Sequence, residues 1–358
     1  MLFKTRPTEE SVRAALRNVV DDAMIGAVQI TPDRDAIVTL EIDPTSQQKF
    51  EPLRQQAEQA VARVKGVAKA LVILTAERAM KSSPAPTQKT ARLDVPGVKK
   101  IIAVASGKGG VGKSTVAANL AVALSKMGQK VGLLDADIYG PSVPRLMGVI
   151  SAKPEQGPKQ LAPIDAHGLK VMSMGFLVDE ATPMIWRGPM IQSALQQLLR
   201  DVDWSGLDIL VIDMPPGTGD AQLTLAQKVS LAGAVVVSTP QDIALIDARK
   251  GLEMFRKVAV PVLGIVENMS YYCCPECGHR ADIFGHGGAR LEAEKLGCPF
   301  LGEVPLHALI REDSDAGQPV ALKGPDDHQA KPFYDIAARV LESLDVAGRP
   351  APKIVIEG

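Results

Sequence analysis

Cysteine and aromatic residues are scarce in this sequence: 358 residues carry four cysteines and 4% Phe, Trp and Tyr. So few thiols exclude a disulfide-built scaffold and point to a reducing compartment. Neither sign of charge is in excess, since 40 basic side chains face 41 acidic ones for a formal net charge of -1. Nothing global therefore draws the chain to nucleic acid or to an anionic membrane. No stretch approaches the roughly 18 consecutive apolar residues of a membrane-spanning helix. The opening Met1-Leu2-Phe3-Lys4-Thr5-Arg6-Pro7 turns polar before a secretory apolar segment is built. The expectation is a cytoplasmic protein with no nucleic-acid and no membrane partner. What is present is ordinary for a folded chain, 46% hydrophobic and 23% charged residues, with length enough for about two domains.

Residues 1–80 read as a small α/β domain. Val12, Ala15, Leu16, Val19 and Val20 recur at helical spacing behind Thr8, a capping residue. Strands are predicted over 27–31 and 36–42, around a turn through Pro32-Asp33-Arg34-Asp35. A second helix carries Phe50, Leu53, Ala57, Val61 and Val64 on one face and stops at Gly66, and a strand over 68–75 closes the unit. Residues 81–98, including Ser82-Ser83-Pro84-Ala85-Pro86, show no period and read as a flexible tether.

Over 99–358 the texture changes. Apolar runs at 101–105, 131–134, 209–212, 234–237 and 262–266 alternate with helical segments. Uninterrupted apolar strands are buried on both faces, so the predicted fold class is α/β, a mostly parallel sheet covered by helices on both sides. The last predicted helix spans 333–344, and an irregular tail follows through Pro350 and Pro352.

Directly after the first apolar run stands Ser106-Gly107-Lys108-Gly109-Gly110-Val111-Gly112-Lys113-Ser114-Thr115, which satisfies G-x-x-x-x-G-K-[ST] and leads into a helix through Ala117, Leu120 and Leu124. Strand before and helix after are the context a phosphate-binding loop needs. Glycines let successive backbone N–H groups turn toward phosphate oxygens, and the helix N-terminus adds its positive end. Lys113 supplies the charge for the β and γ phosphates and Ser114 a hydroxyl for Mg2+. Asp213 ends one apolar run beside that metal, and Asp135 and Asp137 follow another. Gly217, in Gly217-Thr218-Gly219, is expected to offer its N–H to a γ-phosphate.

Three of the four cysteines crowd together in Tyr271-Tyr272-Cys273-Cys274-Pro275-Glu276-Cys277-Gly278. Cys274 and Cys277 form a C-x-x-C, half the thiolates that a structural zinc site or an iron-sulfur cluster takes. Three readings stay open: a two-fold dimer shares one cluster, zinc recruits His279 or His286 within one chain, or the pair is a redox dithiol. Cys298, before Pro299, reads as a small apolar residue entering a strand.

The loop with Lys108 resembles the deviant Walker A motif of the MinD/ParA/nitrogenase-iron-protein group of ATPases. With Asp135-Ala136-Asp137-Ile138-Tyr139-Gly140-Pro141-Ser142, Trp186-Arg187-Gly188-Pro189-Met190, Asp213-Met214-Pro215-Pro216-Gly217-Thr218-Gly219-Asp220 and Asn268-Met269-Ser270 leading to Cys274-Pro275-Glu276-Cys277, the chain from about Ile101 onward resembles the Mrp/ApbC iron-sulfur cluster carriers. That resemblance implies a P-loop ATPase fold, ATP and Mg2+ at the loop, and a 4Fe-4S cluster held by Cys274 and Cys277 of two subunits. It further implies transfer of the cluster to apoproteins after loading from an assembly scaffold. Lys108 would reach the partner's nucleotide in a homodimer, Asp137 would position or activate the attacking water, Asp135 would support Mg2+, and Asn268 would bond the adenine. Residues 1–80 resemble, loosely, the small iron-sulfur-assembly domain fused ahead of such carriers. Val20-Asp21-Asp22-Ala23 and Asp43-Pro44-Thr45-Ser46 stand in place of its motif, and no cysteine precedes Cys273. A docking or regulatory role is the reading for that domain. The competing classes are a MinD/ParA-type positioning ATPase that binds membrane or DNA, and a zinc-stabilised nucleotide-binding module.

Overall fold

A computed structural model describes residues 7–30, 34, 36–41, 51–68, 70–75, 92–155, 157, 160–176 and 188–347. The chain divides into two compact units, residues 1–88 and 89–358. The expected turn around Pro32, the segments with Asp43 and Trp186, most of the tether and the tail beyond Ala347 lie outside the described residues.

In the first unit, α1 (Glu9–Leu16) starts at Thr8, whose hydroxyl accepts the Ser11 N–H while the Ser11 hydroxyl serves the other end of the capping box. The helix ends at Leu16, earlier than Val19 and Val20 suggested. The Val19 and Val20 N–H groups both bond the Leu16 carbonyl and turn the chain, keeping Val20 in the core. Strands β1 (Ile25–Ile30) and β2 (Ala36–Glu41) pair antiparallel, and after α2 (Glu51–Ala62) the parallel strand β3 (Ala70–Thr75) completes a three-stranded sheet. The second helix stops at Ala62, four residues short of Gly66.

The second unit begins before Val98. Leu93 N–H bonds the Lys228 carbonyl, Ser230 N–H bonds the Leu93 carbonyl, and Val95 is buried. The expected tether is therefore corrected at 92–98, because two apolar side chains there have a core to join. Its elements run β4 (Val98–Ala105), α3 (Lys113–Lys126), β5 (Val131–Asp135), α4 (Val143–Leu146), β6 (Ile164–Ala166), β7 (Leu169–Ser173), α5 (Gly188–Arg200), β8 (Leu207–Asp213), α6 (Asp220–Lys228), β9 (Gly233–Ser238), α7 (Asp242–Lys257), β10 (Val262–Cys273), β11 (Arg280–Ala281), α8 (Gly288–Leu296), β12 (Phe300–Leu306), α9 (Ala308–Asp315) and α10 (Lys331–Ala347). They build a nine-stranded sheet in the order β11-β10-β9-β4-β8-β5-β7-β6, with β12 also on β10. Every pairing in it is parallel except β6 with β7 and β10 with β11.

Alternation along the strands divides the core in two. Ile102, Val104, Ile209, Val211, Val235 and Val237 face α3 and α10, while Ile101, Ala103, Leu210, Ile212, Ala234 and Val236 face α5 and α7. Each such valine, leucine or isoleucine contributes about 1.5–3 kcal/mol by leaving water. This two-sided cover fixes β4, β5 and β8 side by side, with Asp135 directly opposite Asp213 and Val104 opposite the same aspartate.

Candidate functional site

Between β4 and α3 the glycine loop turns through left-handed backbone at Gly110 (φ +82) and Gly112 (φ +78), conformations that glycine adopts without a Cβ clash. Close packing constrains it too. A Cβ at Gly107 would strike the Asp247 backbone on α7, and one at Gly112 would strike the Asn268 side-chain amide. Val111 is buried in the core, so it anchors the loop while Gly109 and Gly110 stay exposed. Lys108 is half-buried, and its carbonyl accepts the Ser106 hydroxyl at 2.9 Å. The Thr115 carbonyl accepts from Asn119, whose Oδ1 in turn takes the Ala321 N–H, tying the start of α3 to the core.

Lys113 begins α3 almost fully buried and forms an ion pair with the fully buried Asp213 Oδ1. Its ammonium also donates to the Ser114 hydroxyl at 3.2 Å. The second carboxylate oxygen of Asp213 is buried without a partner among the described residues. An unpartnered buried carboxylate oxygen on the aspartate that shares Lys113 with the Ser114 hydroxyl fits an oxygen-seeking cation such as Mg2+, and a glycine loop leading into a helix N-terminus fits phosphate. Across the strand pair, Asp135 accepts N–H bonds from Asp137 at 3.0 Å and Val143 at 3.1 Å and the Ser173 hydroxyl at 3.1 Å. Burial, and then the negative charge of Asp213, push its carboxyl up to about 7, against the two N–H bonds and Lys113. Burial also raises Asp137, which is half-exposed and accepts from the Tyr139 and Gly140 N–H groups.

This proton has a measurable consequence. The folded chain holds it up to about pH 7, whereas an unfolded aspartate releases it near about pH 4. Between those values the folded state binds more protons, so stability falls as pH rises, by at most about 1.4 kcal/mol per pH unit for this group, and levels off above. Urea unfolding between about pH 5 and pH 8 should show the decline, and Asp135→Asn should flatten it. An unchanged slope in the variant would remove Asp135 as its source.

Two residues expected at the nucleotide are bonded within the protein. The Gly217 N–H donates to the Ser106 carbonyl at 3.1 Å, so it braces the loop from β8 where a γ-phosphate contact was expected. Asn268, 7% exposed, donates from Nδ2 to the Val111 carbonyl at 2.8 Å, so its amide is engaged by the glycine loop. Gln222 adds a brace from α6 to the Pro215 carbonyl at 2.9 Å.

Strand β10 reaches Cys273, seven residues beyond the run expected at 262–266, and so carries the cysteine loop on its end. The Cys274 N–H bonds the His279 carbonyl and the Gly278 N–H returns to the Cys274 carbonyl, each at 2.9 Å, closing a tight turn with Cys277 exposed. Hydrogen bonds from the Cys277 and Glu276 N–H groups lower the Cys274 thiol. No helix starts in the turn, unlike a thioredoxin-type dithiol. Among the described residues the sole group of three metal-ligating side chains within reach of one ion is Glu267, His286 and Glu303, so neither His286 nor His279 joins the two thiols, and the in-chain zinc reading lacks its ligands. Those three are engaged otherwise. Glu267 accepts from Ser270, Gly287 and Ala289, Glu303 accepts from Arg290, and the Arg280 guanidinium lies on His286. Cys298 packs half-buried against the core, which raises its thiol, and Cys273 donates to the Gly278 carbonyl. Sequence reading missed Glu267; a lone acid inside the apolar strand before Asn268 was its only signal.

Residues 97–341 match the ParA-type family described as NUBPL iron-transfer P-loop NTPase. The iron-sulfur cluster carrier protein of Haemophilus influenzae is 55% identical over 263 residues, 73% of this chain and 71% of that protein. The Escherichia coli iron-sulfur cluster carrier protein is 50% identical over 310 residues, 85% of this chain and 81% of that one. Among solved structures, a nucleotide-binding protein from Archaeoglobus fulgidus in complex with ADP aligns with a TM-score of 0.58 at 41% identity, covering 66% of this chain and 92% of its own. The cell-division ATPase MinD of Pyrococcus furiosus, 24% identical with a TM-score of 0.51 over 68% of this chain and 98% of its own, shares the fold.

Proposed function

Because the chain belongs to the ParA-type family of NUBPL iron-transfer P-loop NTPases, we propose that it is an ATP-dependent carrier of 4Fe-4S clusters. Two copies hold one cluster through Cys274 and Cys277, and the cluster passes from an assembly scaffold to apoproteins in the cytoplasm. The observation that carries this reading is the geometry of β10. One strand passes the phosphate loop at Asn268 and ends in an exposed two-thiol turn, which gives one chain two of the four thiolates a cluster needs. The homodimer is supported further by exposed apolar side chains, Ile243 and Ile246, on the same helix as Asp247, whose backbone borders Gly107. No described helix is long and apolar enough to cross a membrane.

When bound, ATP with Mg2+ supplies the free energy of hydrolysis. Lys113 would hold phosphate oxygens, Ser114 and Asp213 would hold the cation, Asp135, which accepts the Asp137 N–H, keeps that backbone in place, and Asp137 would receive or orient the water. Asp137 is suited to that work because it is only partly buried and burial raises its carboxyl above the ordinary value, which makes it the stronger base. Asp137→Asn should bind nucleotide as the parent does and turn it over at least about a hundredfold more slowly, by the usual worth of a positioned base. Lys108→Ala should lower turnover more than single-chain affinity, since its charge serves the partner's nucleotide. Steady-state ATPase rates beside nucleotide titrations check both, and parental turnover in Asp137→Asn would reassign the water. The function itself is tested by anaerobic reconstitution with iron and sulfide, followed by activation of an apo 4Fe-4S enzyme. Zinc without iron after reconstitution, or iron that never reaches the enzyme, would reject it.

A further inference from the structure

We infer that Asn268 is a positioning residue that links the phosphate loop to the cysteine turn, so that nucleotide and cluster bind as energetically coupled events through β10. The inference rests on the carrier reading above and adds the residue through which its two sites communicate.

Three observations converge on the junction. First, the Asn268 amide and the loop interlock: Nδ2 donates to the Val111 carbonyl at 2.8 Å, and only the missing side chain of Gly112 leaves room for it. A buried donor bonded to a loop carbonyl shifts when that loop closes on phosphate, because breaking the bond would strand a buried polar group. Second, the strand changes character immediately afterwards. Met269 adopts a left-handed conformation (φ +56), rare for a residue with a side chain, and the register of β10 against β12 is irregular between Asn268 and Tyr272. The cysteine end thus pairs in a different register from the rest of β10, and the break begins at the residue next to the amide.

Third, Glu267, fully buried beside Asn268, secures the other end of the cysteine turn. Its carboxylate accepts the Ser270 hydroxyl at 2.5 Å and the Gly287 and Ala289 N–H groups at 3.1 and 2.7 Å, holding the start of α8 against β10. Between that clamp and the turn lies β11, whose Arg280 and Ala281 pair with Cys273 and Tyr272. Both ends of the cysteine loop therefore return to the Glu267–Asn268 step: one directly along β10, the other through β11 and the start of α8. A displacement of Asn268 by the phosphate loop moves the frame in which Cys274 and Cys277 sit, and a cluster that fixes those thiols resists it. By linkage, each ligand must change the other's affinity by one common factor.

The experiment titrates a non-hydrolysable ATP analogue with Mg2+ into apo and anaerobically cluster-loaded full-length protein and takes the ratio of the two dissociation constants. The parent should give a ratio that departs from one by about fivefold or more. Asn268→Ala, and the same-sized Asn268→Asp that cannot donate, should still load iron as the parent does while the ratio collapses to about one. Asn119→Ala removes a different buried amide of α3, with bonds to the Thr115 carbonyl and the Ala321 N–H, and should keep the parental ratio; a ratio lost there too would mean general loosening and overturn the assignment. Weaker analogue binding with an unchanged ratio in both Asn268 variants would assign the amide to a base contact and likewise overturn it. A parent that loads iron but shows a ratio of one defeats the coupling alone, whereas a parent that loads no iron defeats the carrier reading and the coupling with it.

Discussion

Lys113→Ala should cost the protein its nucleotide turnover and a large part of its stability at once. The ammonium sits 6% exposed against a carboxylate with no exposure, and a second carboxyl, Asp135, stands opposite that carboxylate across the strand pair. Without the lysine, Asp213 is a buried charge with one oxygen already lacking a partner. Removing one member of a buried ion pair typically costs about 3–5 kcal/mol, because the remaining charge stays desolvated. For a unit of this size that corresponds to a melting temperature lower by roughly 10 °C. Turnover should fall on the order of a hundredfold or more, the usual loss when a preorganised charge on the transition state is removed. The two effects are separable in the double variant Lys113→Ala/Asp213→Ala, which deletes the stranded charge. It should regain much of the melting temperature and none of the turnover. If the single variant melts at the parental temperature, Asp213 is solvated or re-paired and the account of this pair is wrong.

The contrast between Lys113 and Asn268 shows what a sequence displays and what it hides. The lysine lies within ten contiguous residues whose spacing states their chemistry, and Asp213 and Asp135 announce themselves by ending apolar runs. Asn268 finds its partner in a carbonyl 157 positions away, and no local pattern encodes a bond of that reach. The same holds for the Gly217 N–H, taken up by Ser106. Strands with continuous apolar runs were readable because the sheet is covered on both faces. Strand β7 carries a lysine in Leu169–Ser173 and β12, which pairs only with β10, a glycine, a glutamate and a proline in Phe300–Leu306, and these interruptions broke the apolar run by which a strand is read. The length of β10 was hidden for a similar reason, since Asn268, Ser270 and two tyrosines look like a loop until β12 and β11 pair with them. Helix ends failed where backbone bonds decide. Two N–H groups folding back to Leu16 stop α1 although the valine spacing continues.

Replacing either Cys274 or Cys277 by alanine should abolish cluster binding, while Cys298→Ala should leave it intact. The turn between β10 and β11 holds two thiols at the spacing that can meet one metal face, with Cys277 exposed and the Cys274 thiol lowered by the Cys277 and Glu276 N–H groups. Cys298 is packed against the core with its thiol raised by burial, the opposite of a ligand's environment. Two thiolates per chain make the cluster's ligand set the property of a pair of chains, so the parent should hold about four iron and four sulfide per two chains after anaerobic reconstitution. Loss of one thiol removes two of four ligands by symmetry, which is why a single substitution should act nearly as strongly as the double one. Iron, sulfide and the visible absorption of the cluster are the measurements, taken together with molar mass with and without reconstitution. Retention of four iron in Cys277→Ala would mean that Cys273, whose thiol now donates to the Gly278 carbonyl at 3.6 Å, takes its place, and Cys273→Ala/Cys277→Ala would then be decisive. Should the double variant Cys274→Ala/Cys277→Ala still mature client enzymes in cells without another carrier, the thiols serve no transfer. A positioning ATPase of the MinD type would then be the better account of this fold.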